Sequence, residues 1–165
     1  MTRTAESPIE DRASGAPAPR RRSTLRSVAL PTEHGGWGLT LESVVLGLAV
    51  RWSAPGVCLA AAAFLAFLAR TPLKVVLVDF RRHRVLPRTR PARLVLAAEI
   101  LAMASLVAAA IALGTTAFWA PVVLIGPLAT VELWFDMRSR SRRLVPELAG
   151  AVGIGGVVAV IALAG

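Results

Sequence analysis

Cysteine and histidine are both scarce in this sequence of 165 residues, which contains one cysteine and two histidines. The single cysteine, Cys58, has no partner within the chain, so a disulfide framework is excluded. His34 and His83 are too few for a zinc site, which needs three or four converging ligands. Walker loops, cysteine-rich metal motifs and Ser-His-Asp sets are missing as well. The sequence therefore predicts no bound metal and no cofactor.

Acidic residues are also few, ten against 19 basic ones, which gives a net charge of +9. In a soluble protein this excess would suggest an acidic partner such as nucleic acid. However, 55% of the residues are apolar, and they come in blocks of about 15 to 25, close to the roughly 20 that cross a bilayer as a helix. This pattern predicts an all-α, polytopic transmembrane helical bundle in the lipid bilayer, with no nucleic-acid partner.

The chain divides into a tail and a membrane domain. Residues 1–30 are rich in Ala, Ser, Pro and Arg and are predicted to form a disordered basic tail. Residues 31–165 are predicted to form the transmembrane domain, with five spans at about residues 36–50, 54–78, 92–113, 117–135 and 146–164. All basic residues but Arg51 lie on one side of these spans. The positive-inside rule then predicts a multi-pass protein of the cytoplasmic membrane, with its N-terminus inside and its C-terminus outside.

The last predicted span carries small residues at helical spacing. Ala149 is followed by Gly153, and Ala151 by Gly155 and Ala159. Such faces let helix backbones approach closely. They predict close packing inside one subunit or, as the alternative, the contact of a homo-oligomer.

Several ionisable residues fall inside the predicted spans, where each costs several kcal/mol and usually faces a partner or a wet cavity. Counting from the basic boundary, Glu42, Arg70 and Glu99 lie about 10 to 13 Å deep, and Lys74 and Glu132 about 6 to 7 Å deep. Glu42 is therefore expected opposite Arg70, with Glu99 as the alternative partner. The plainest interpretation is ion pairs that hold the helices in register.

Two helix ends repeat the pattern Asp-x-Arg, as Asp79 with Arg81 and Asp136 with Arg138. Two basic loops with one acid each would suit a phosphate or diphosphate group, with or without a metal that bridges the acids. His34 could act as a base, a proton relay or a metal ligand, although a tight turn beside glycines is the plainer interpretation. The candidate ligand-binding residues are His34, Glu42, Arg70, Lys74, Asp79, Arg81, Glu99, Glu132, Asp136 and Arg138.

The segments "PTEHGGWGLTLESVVLGL", "RTPLKVVLVDFRR" and "RSRRLVPELAGAVGIG", in this order, resemble the YwiC-like family of small bacterial integral membrane proteins over most of residues 31–160. The resemblance implies no established function. It implies that the positions to watch are Glu33, His34, Gly35, Trp37, Arg70, Pro72, Asp79, Arg138, Glu147 and Gly150. It also implies that this chain is a shortened member without the final helices.

A more distant likeness is to UbiA-type prenyltransferases, which hold magnesium and a prenyl diphosphate with several aspartates per motif. Here each loop has one aspartate, with arginines where further acids would be needed. We therefore expect binding or transport of an anionic, phosphate-bearing or lipid ligand at the cytoplasmic face. The alternatives are a magnesium-dependent prenyl-diphosphate transferase and a structural membrane protein with ion pairs only.

Overall fold

The fold of this chain is a bundle of helices. A computed structural model describes residues 34–83, 86–138 and 144–165, and these residues form five α-helices and no strand. The helices are α1 (His34–Val50), α2 (Ala54–Arg81), α3 (Thr89–Leu113), α4 (Trp119–Met137) and α5 (Leu144–Ala162). The predicted all-α class is therefore confirmed, and each helix end lies within three residues of its predicted span. The predicted tail, residues 1–30, lies outside the described residues.

Four of the helices are long and apolar enough to cross a membrane: α2, α3, α4 and α5. The first helix is also apolar but has 17 residues. At a rise of about 1.5 Å per residue it extends for about 25 Å, slightly less than the thickness of a hydrocarbon core. The chain is a multi-pass membrane protein.

The longest helix, α2, occupies the centre of the bundle and contacts each of the other four. Ser53 caps its start, because the Ser53 hydroxyl accepts the Gly56 backbone N–H at 3.1 Å, and Pro55 occupies the first turn. In the described residues, α3 packs against α2 alone, whereas α1, α2, α4 and α5 form a connected group. The third helix therefore stands at the outside of the bundle.

The helices alternate in direction, so the bundle has two distinct ends. We call the end at which α2 and α4 finish and α3 and α5 begin the basic end. At the opposite end, the Thr115 backbone N–H donates to the Ala164 carbonyl at 3.2 Å, and the Thr115 hydroxyl donates to the Leu163 carbonyl at 3.0 Å. The best-buried apolar cluster, which includes Leu59, Phe118 and Ile161, lies towards this opposite end.

Small residues determine how closely α1 and α5 pack against their neighbours. A Cβ atom on Gly47 would lie 2.9 Å from the Ile161 Cβ, so α1 passes directly over α5 there. On α5, Ala149 and Gly153 are buried, whereas Ala151 and Gly155 are exposed. The first small-residue face therefore packs inside the subunit. The second faces outwards, and its use in a homo-oligomer stays a prediction.

Candidate functional site

The inward face of α1 carries small polar residues rather than its glutamate. Thr40, Ser43 and Gly47 are buried and recur at the three- and four-residue spacing of one helix face. Glu42 lies off this face and is exposed. The predicted pairing of Glu42 with Arg70 is therefore wrong. Depth in the membrane places a residue in a layer, but the rotation of its helix decides where the side chain points.

Arg70 instead pairs with two carboxylates of α4. Its Nη1 atom lies 2.8 Å from Glu132 Oε1, and its Nε atom lies 3.5 Å from Asp136 Oδ2. Lys74, one turn further along α2, places Nζ 2.7 Å from Asp136 Oδ1. The two cations and the two carboxylates are each four residues apart, so each pair shares one helix face. We call Arg70, Lys74, Glu132 and Asp136 the charge network.

Burial differs within the charge network. The Asp136 side chain is 3% exposed, so its charge is removed from solvent and depends on its cationic partners. The Lys74 side chain is 42% exposed, and those of Arg70 and Glu132 are 24% and 22% exposed. The network is therefore anchored by a buried aspartate, and its lysine is the most exposed of the four side chains.

A glycine on α5 makes room for the network. A Cβ atom on Gly150 would lie 2.8 Å from Glu132 Cδ and 3.0 Å from both carboxylate oxygens. That spacing is closer than side-chain carbons normally come, so the Glu132 carboxylate occupies the space that a side chain at position 150 would need. Gly150 is thus a positioning residue for the pair of Glu132 with Arg70.

The two Asp-x-Arg motifs have different environments. Asp79 is 2% exposed and accepts a 2.6 Å hydrogen bond from the Thr89 hydroxyl, and its Oδ1 atom lies 3.5 Å from Arg88 Nη2. Thr89 Oγ1 in turn accepts the Leu86 backbone N–H at 3.0 Å. These contacts join the end of α2 to the start of α3. Asp79 therefore stabilises a helix hairpin, while Asp136 belongs to the charge network.

The arginines of the two motifs are also not arranged as one shared anion site. Arg81 is exposed, and Arg138 lies with its guanidinium carbon 4.4 Å from the centre of the Trp134 ring, a cation–π contact. In the described part of the chain, no group of three or more His, Cys, Asp or Glu side chains is placed to hold a metal ion. The interpretation of the two motifs as equivalent halves of one diphosphate site therefore has no geometric support.

Two further candidates lie away from the charge network. Glu99 is on α3, the outer helix, and its Oε2 atom is buried without a hydrogen-bond partner among the described residues. The ion pairs of Arg70 are made to α4, so the structure does not bring Glu99 and Arg70 together. His34 is the first residue of α1, and the position of its side chain lies outside the described part of the structure.

A cavity of about 310 Å³ opens between α1, α2, α4 and α5, next to the charge network. Its walls consist mostly of alanine, leucine, isoleucine, valine and phenylalanine side chains, with Gly150 and Gly153 from α5. Arg70 and Glu132 supply the charged part of the lining. Thr40 and Ser43 are the uncharged polar side chains that line it. The cavity therefore combines a large apolar surface with one ion pair.

Aromatic contacts fix the level of α1 relative to α2. A Cβ atom on Gly36 would lie 2.8 Å from the Phe67 ring, and the Trp37 ring meets Phe67 edge-on with 5.1 Å between centroids. Thr40 is one turn further along α1, in the direction away from the basic end. Its hydroxyl is buried, and it has no hydrogen-bond partner within the described residues. Reasoning from charged residues alone missed Thr40 and Ser43, although their spacing with Gly47 was a readable signal.

One protein family matches most of the chain. The family described as YwiC-like protein matches residues 30–162. The chain belongs to the YwiC-like family. The resemblance drawn from the residues is thereby confirmed, whereas the likeness to UbiA-type prenyltransferases stays a prediction. No curated protein and no solved structure matches this YwiC-like chain, so its function is argued from the site itself.

Proposed function

We propose that this YwiC-like protein binds an anionic amphiphile, whose apolar part occupies the cavity and whose anionic group contacts Arg70 and Lys74. The observation that carries the proposal is a guanidinium in the wall of an otherwise largely apolar cavity. Small-molecule pockets typically measure about 300 to 1,000 Å³ and combine apolar walls with a few polar groups. The cavity, at about 310 Å³, is at the lower end of that range.

The charge network has donors to spare for an anion, although its two cations and two carboxylates balance. The ion pairs of Arg70 use Nη1 and Nε, whereas a guanidinium has five N–H donors. Lys74 has three donors, is paired with one carboxylate, and is half-exposed. An anion can therefore join the network at these two residues without first breaking it.

Exposed arginines around the basic end add a long-range attraction for anions. Arg81, Arg82, Arg88, Arg90 and Arg138 are all exposed. Clustered charges of one sign raise the local concentration of the opposite charge. Under the predicted orientation this end faces the cytoplasm, and we place the ligand's anionic group at the cytoplasmic face of the cytoplasmic membrane.

The two alternatives fit the geometry less well. A transferase would need acids that converge on magnesium, but Asp79 and Asp136 lie in separate clusters with their own cations. A purely structural role explains the ion pairs but not the cavity beside them. Binding an anionic amphiphile accounts for both features.

The proposal is tested with protein in phosphatidylcholine nanodiscs and a dodecyl phosphate that carries a photoactivatable group at the chain end. We expect saturable labelling of peptides from α1, α2, α4 and α5. Unlabelled dodecyl phosphate should compete at least about tenfold better than dodecanol, because charge-assisted hydrogen bonds contribute about 1.5 to 3 kcal/mol. Inorganic phosphate should not compete, since it has no apolar part.

A charge-neutral pair of substitutions separates anion recognition from folding. Replacing Arg70→Gln together with Glu132→Gln removes the cation of the wall without leaving an unpaired charge, and should abolish the preference for dodecyl phosphate over dodecanol. Arg51→Gln is the matched control, since Arg51 is exposed at the opposite end of the bundle. Equal competition by dodecanol and dodecyl phosphate in the wild-type protein would contradict the proposal. Labelling that does not saturate would also contradict the proposal, because it would show no specific binding site for the probe.

A further inference from the structure

We propose that the ligand's chain carries an oxygen atom that accepts a hydrogen bond from the Thr40 hydroxyl. This inference rests on the proposed function and names the ligand class more closely. Thr40 is 5% exposed and lines the cavity, and its hydroxyl has no partner among the described residues. A buried polar group that is left unpaired destabilises the protein. A ligand oxygen in the cavity would remove that cost.

Two other hydroxyls on the membrane helices show the hydrogen bond that Thr40 lacks. The hydroxyls of Ser105 and Thr130 each donate to the carbonyl four residues earlier, at 2.9 Å. That is the usual way in which a helix satisfies such a group. Thr40 makes no such bond, although it lies seven residues into α1 and so has a carbonyl one turn earlier. Its hydroxyl is therefore available to the cavity.

A trapped water molecule is a poor alternative partner. A buried water normally makes about two to four hydrogen bonds to polar groups. Ser43 is the other uncharged polar side chain in the lining, and apart from Arg70 and Glu132 the remaining lining residues are apolar or glycine. A water beside Thr40 would therefore be weakly held and readily displaced by a ligand oxygen.

The register of α1 against α2 gives the position of this oxygen along the ligand. Gly36 of α1 lies at the level of Phe67 of α2, and Gly47 of α1 lies at the level of Gly56 of α2, because both glycines contact Ile161. The two helices therefore run antiparallel. Thr40, four residues after Gly36, is level with Ala63, four residues before Phe67. Arg70 and Lys74 are then seven and eleven residues nearer the basic end, which is about 10 and 16 Å. An extended chain gains about 1.2 Å per bond, so, counted between the Cα levels of these residues, the oxygen lies about 8 to 13 bonds from the anionic group.

The ligand class is therefore a long-chain anion with an oxygen near the middle of the chain, such as a mid-chain hydroxylated fatty acid or its phosphate analogue. This class differs from a plain alkyl anion, which leaves Thr40 unpaired. It also differs from an amphiphile whose oxygens all lie beside the anionic group.

The test compares three octadecanoates as competitors of the photoactivatable probe: one unsubstituted, one with a hydroxyl at the second carbon, and one with a hydroxyl at about the tenth carbon. The wild-type protein should bind the mid-chain hydroxy acid about five- to tenfold more tightly than the other two, as expected for one buried hydrogen bond. Thr40→Val should remove this advantage while retaining octadecanoate binding. Thr40→Ser should keep it.

Thr130→Val is the matched control, because that hydroxyl is exposed and bonded within its own helix. It should leave all three affinities unchanged. Equal binding of the three acids by the wild-type protein, or an advantage that survives in Thr40→Val, would overturn the inference while leaving the proposed function in place. Absence of saturable binding by the acids and by the dodecyl phosphate probe would overturn both.

Discussion

The Arg70 guanidinium and the Glu132 carboxylate, 2.8 Å apart, join α2 to α4, two helices that otherwise touch at few places. The same two side chains form the charged part of the cavity wall. If the proposed function is correct, stability and ligand binding both depend on this one pair of residues, and experiments must separate the two effects.

The first prediction concerns Glu132 and Glu42. Glu132→Gln should lower the free energy of unfolding by about 2 kcal/mol, between the values for exposed and for fully buried pairs, because the pair is about one quarter exposed. Adding Arg70→Gln should recover part of this loss, since the guanidinium that has lost its closer carboxylate is then gone and Asp136 keeps its contact with Lys74. Equilibrium unfolding in mixed micelles measures both values.

Glu42→Gln is the matched control for that cycle. Glu42 is exposed, and no ion pair of its carboxylate occurs among the described residues, so its replacement should change stability by less than about 0.5 kcal/mol. A larger cost for Glu42→Gln than for Glu132→Gln would mean that the ion pairs described here do not hold the bundle.

The second prediction concerns the hairpin of α2 and α3. Thr89→Val removes the 2.6 Å hydrogen bond to the buried Asp79 carboxylate and should cost about 1 to 3 kcal/mol of unfolding free energy. Thr130→Val, at an exposed hydroxyl bonded within its helix, should be nearly neutral. Equal effects of the two substitutions on the unfolding free energy would show that the hydrogen bond from Thr89 to Asp79 does not stabilise the hairpin.

The third prediction compares two glycines of α5. Gly153→Ala should stabilise the helix by about 0.5 to 1 kcal/mol, because a Cβ atom there meets its nearest neighbour, Leu128, at 4.0 Å. Gly150→Ala should lack this gain, because the new Cβ atom would lie only 2.8 Å from Glu132 Cδ and would push the carboxylate out of its position. Thermal unfolding of both variants measures the difference. A Gly150→Ala protein as stable as Gly153→Ala would show that Gly150 does not position Glu132.

The fourth prediction concerns orientation in the membrane. Reporters fused after residues 90 and 142 should be cytoplasmic, and a reporter fused at Gly165 should be external. The structure places Gly165 beside Ser53, at the end opposite the basic end, so these reporters should report opposite sides. A cytoplasmic reporter at Gly165 would be inconsistent with five membrane-crossing helices.

The helices could be predicted from the sequence because long apolar blocks are a strong signal. The largest extensions beyond a predicted span are three residues each, at the end of α2 and at the start of α3. The partner of Arg70 could not be predicted in this way. Depth put Glu42 level with Arg70, but Thr40, Ser43 and Gly47 turn the opposite face of α1 inwards. A long arginine side chain also reaches Glu132 in a shallower layer, which a count of helical rise ignores.

The cavity was beyond prediction for a related reason. It lies where Gly153 leaves space between α5 and its neighbours, and small residues usually predict close packing rather than a gap. The space depends on how four helices meet, which no single segment specifies.

The most direct measurement is saturable photolabelling by the dodecyl phosphate probe in Gly153→Leu and Gly155→Leu proteins. Gly153 lines the cavity and has room there for a side chain. Gly155 is exposed on the same helix, and a Cβ atom added to it would have no neighbouring atom within 4 Å. If the cavity is the binding site, Gly153→Leu should weaken probe binding by at least about tenfold, since its side chain fills the space, and Gly155→Leu should bind like the wild-type protein. Equal binding by both variants would contradict the account.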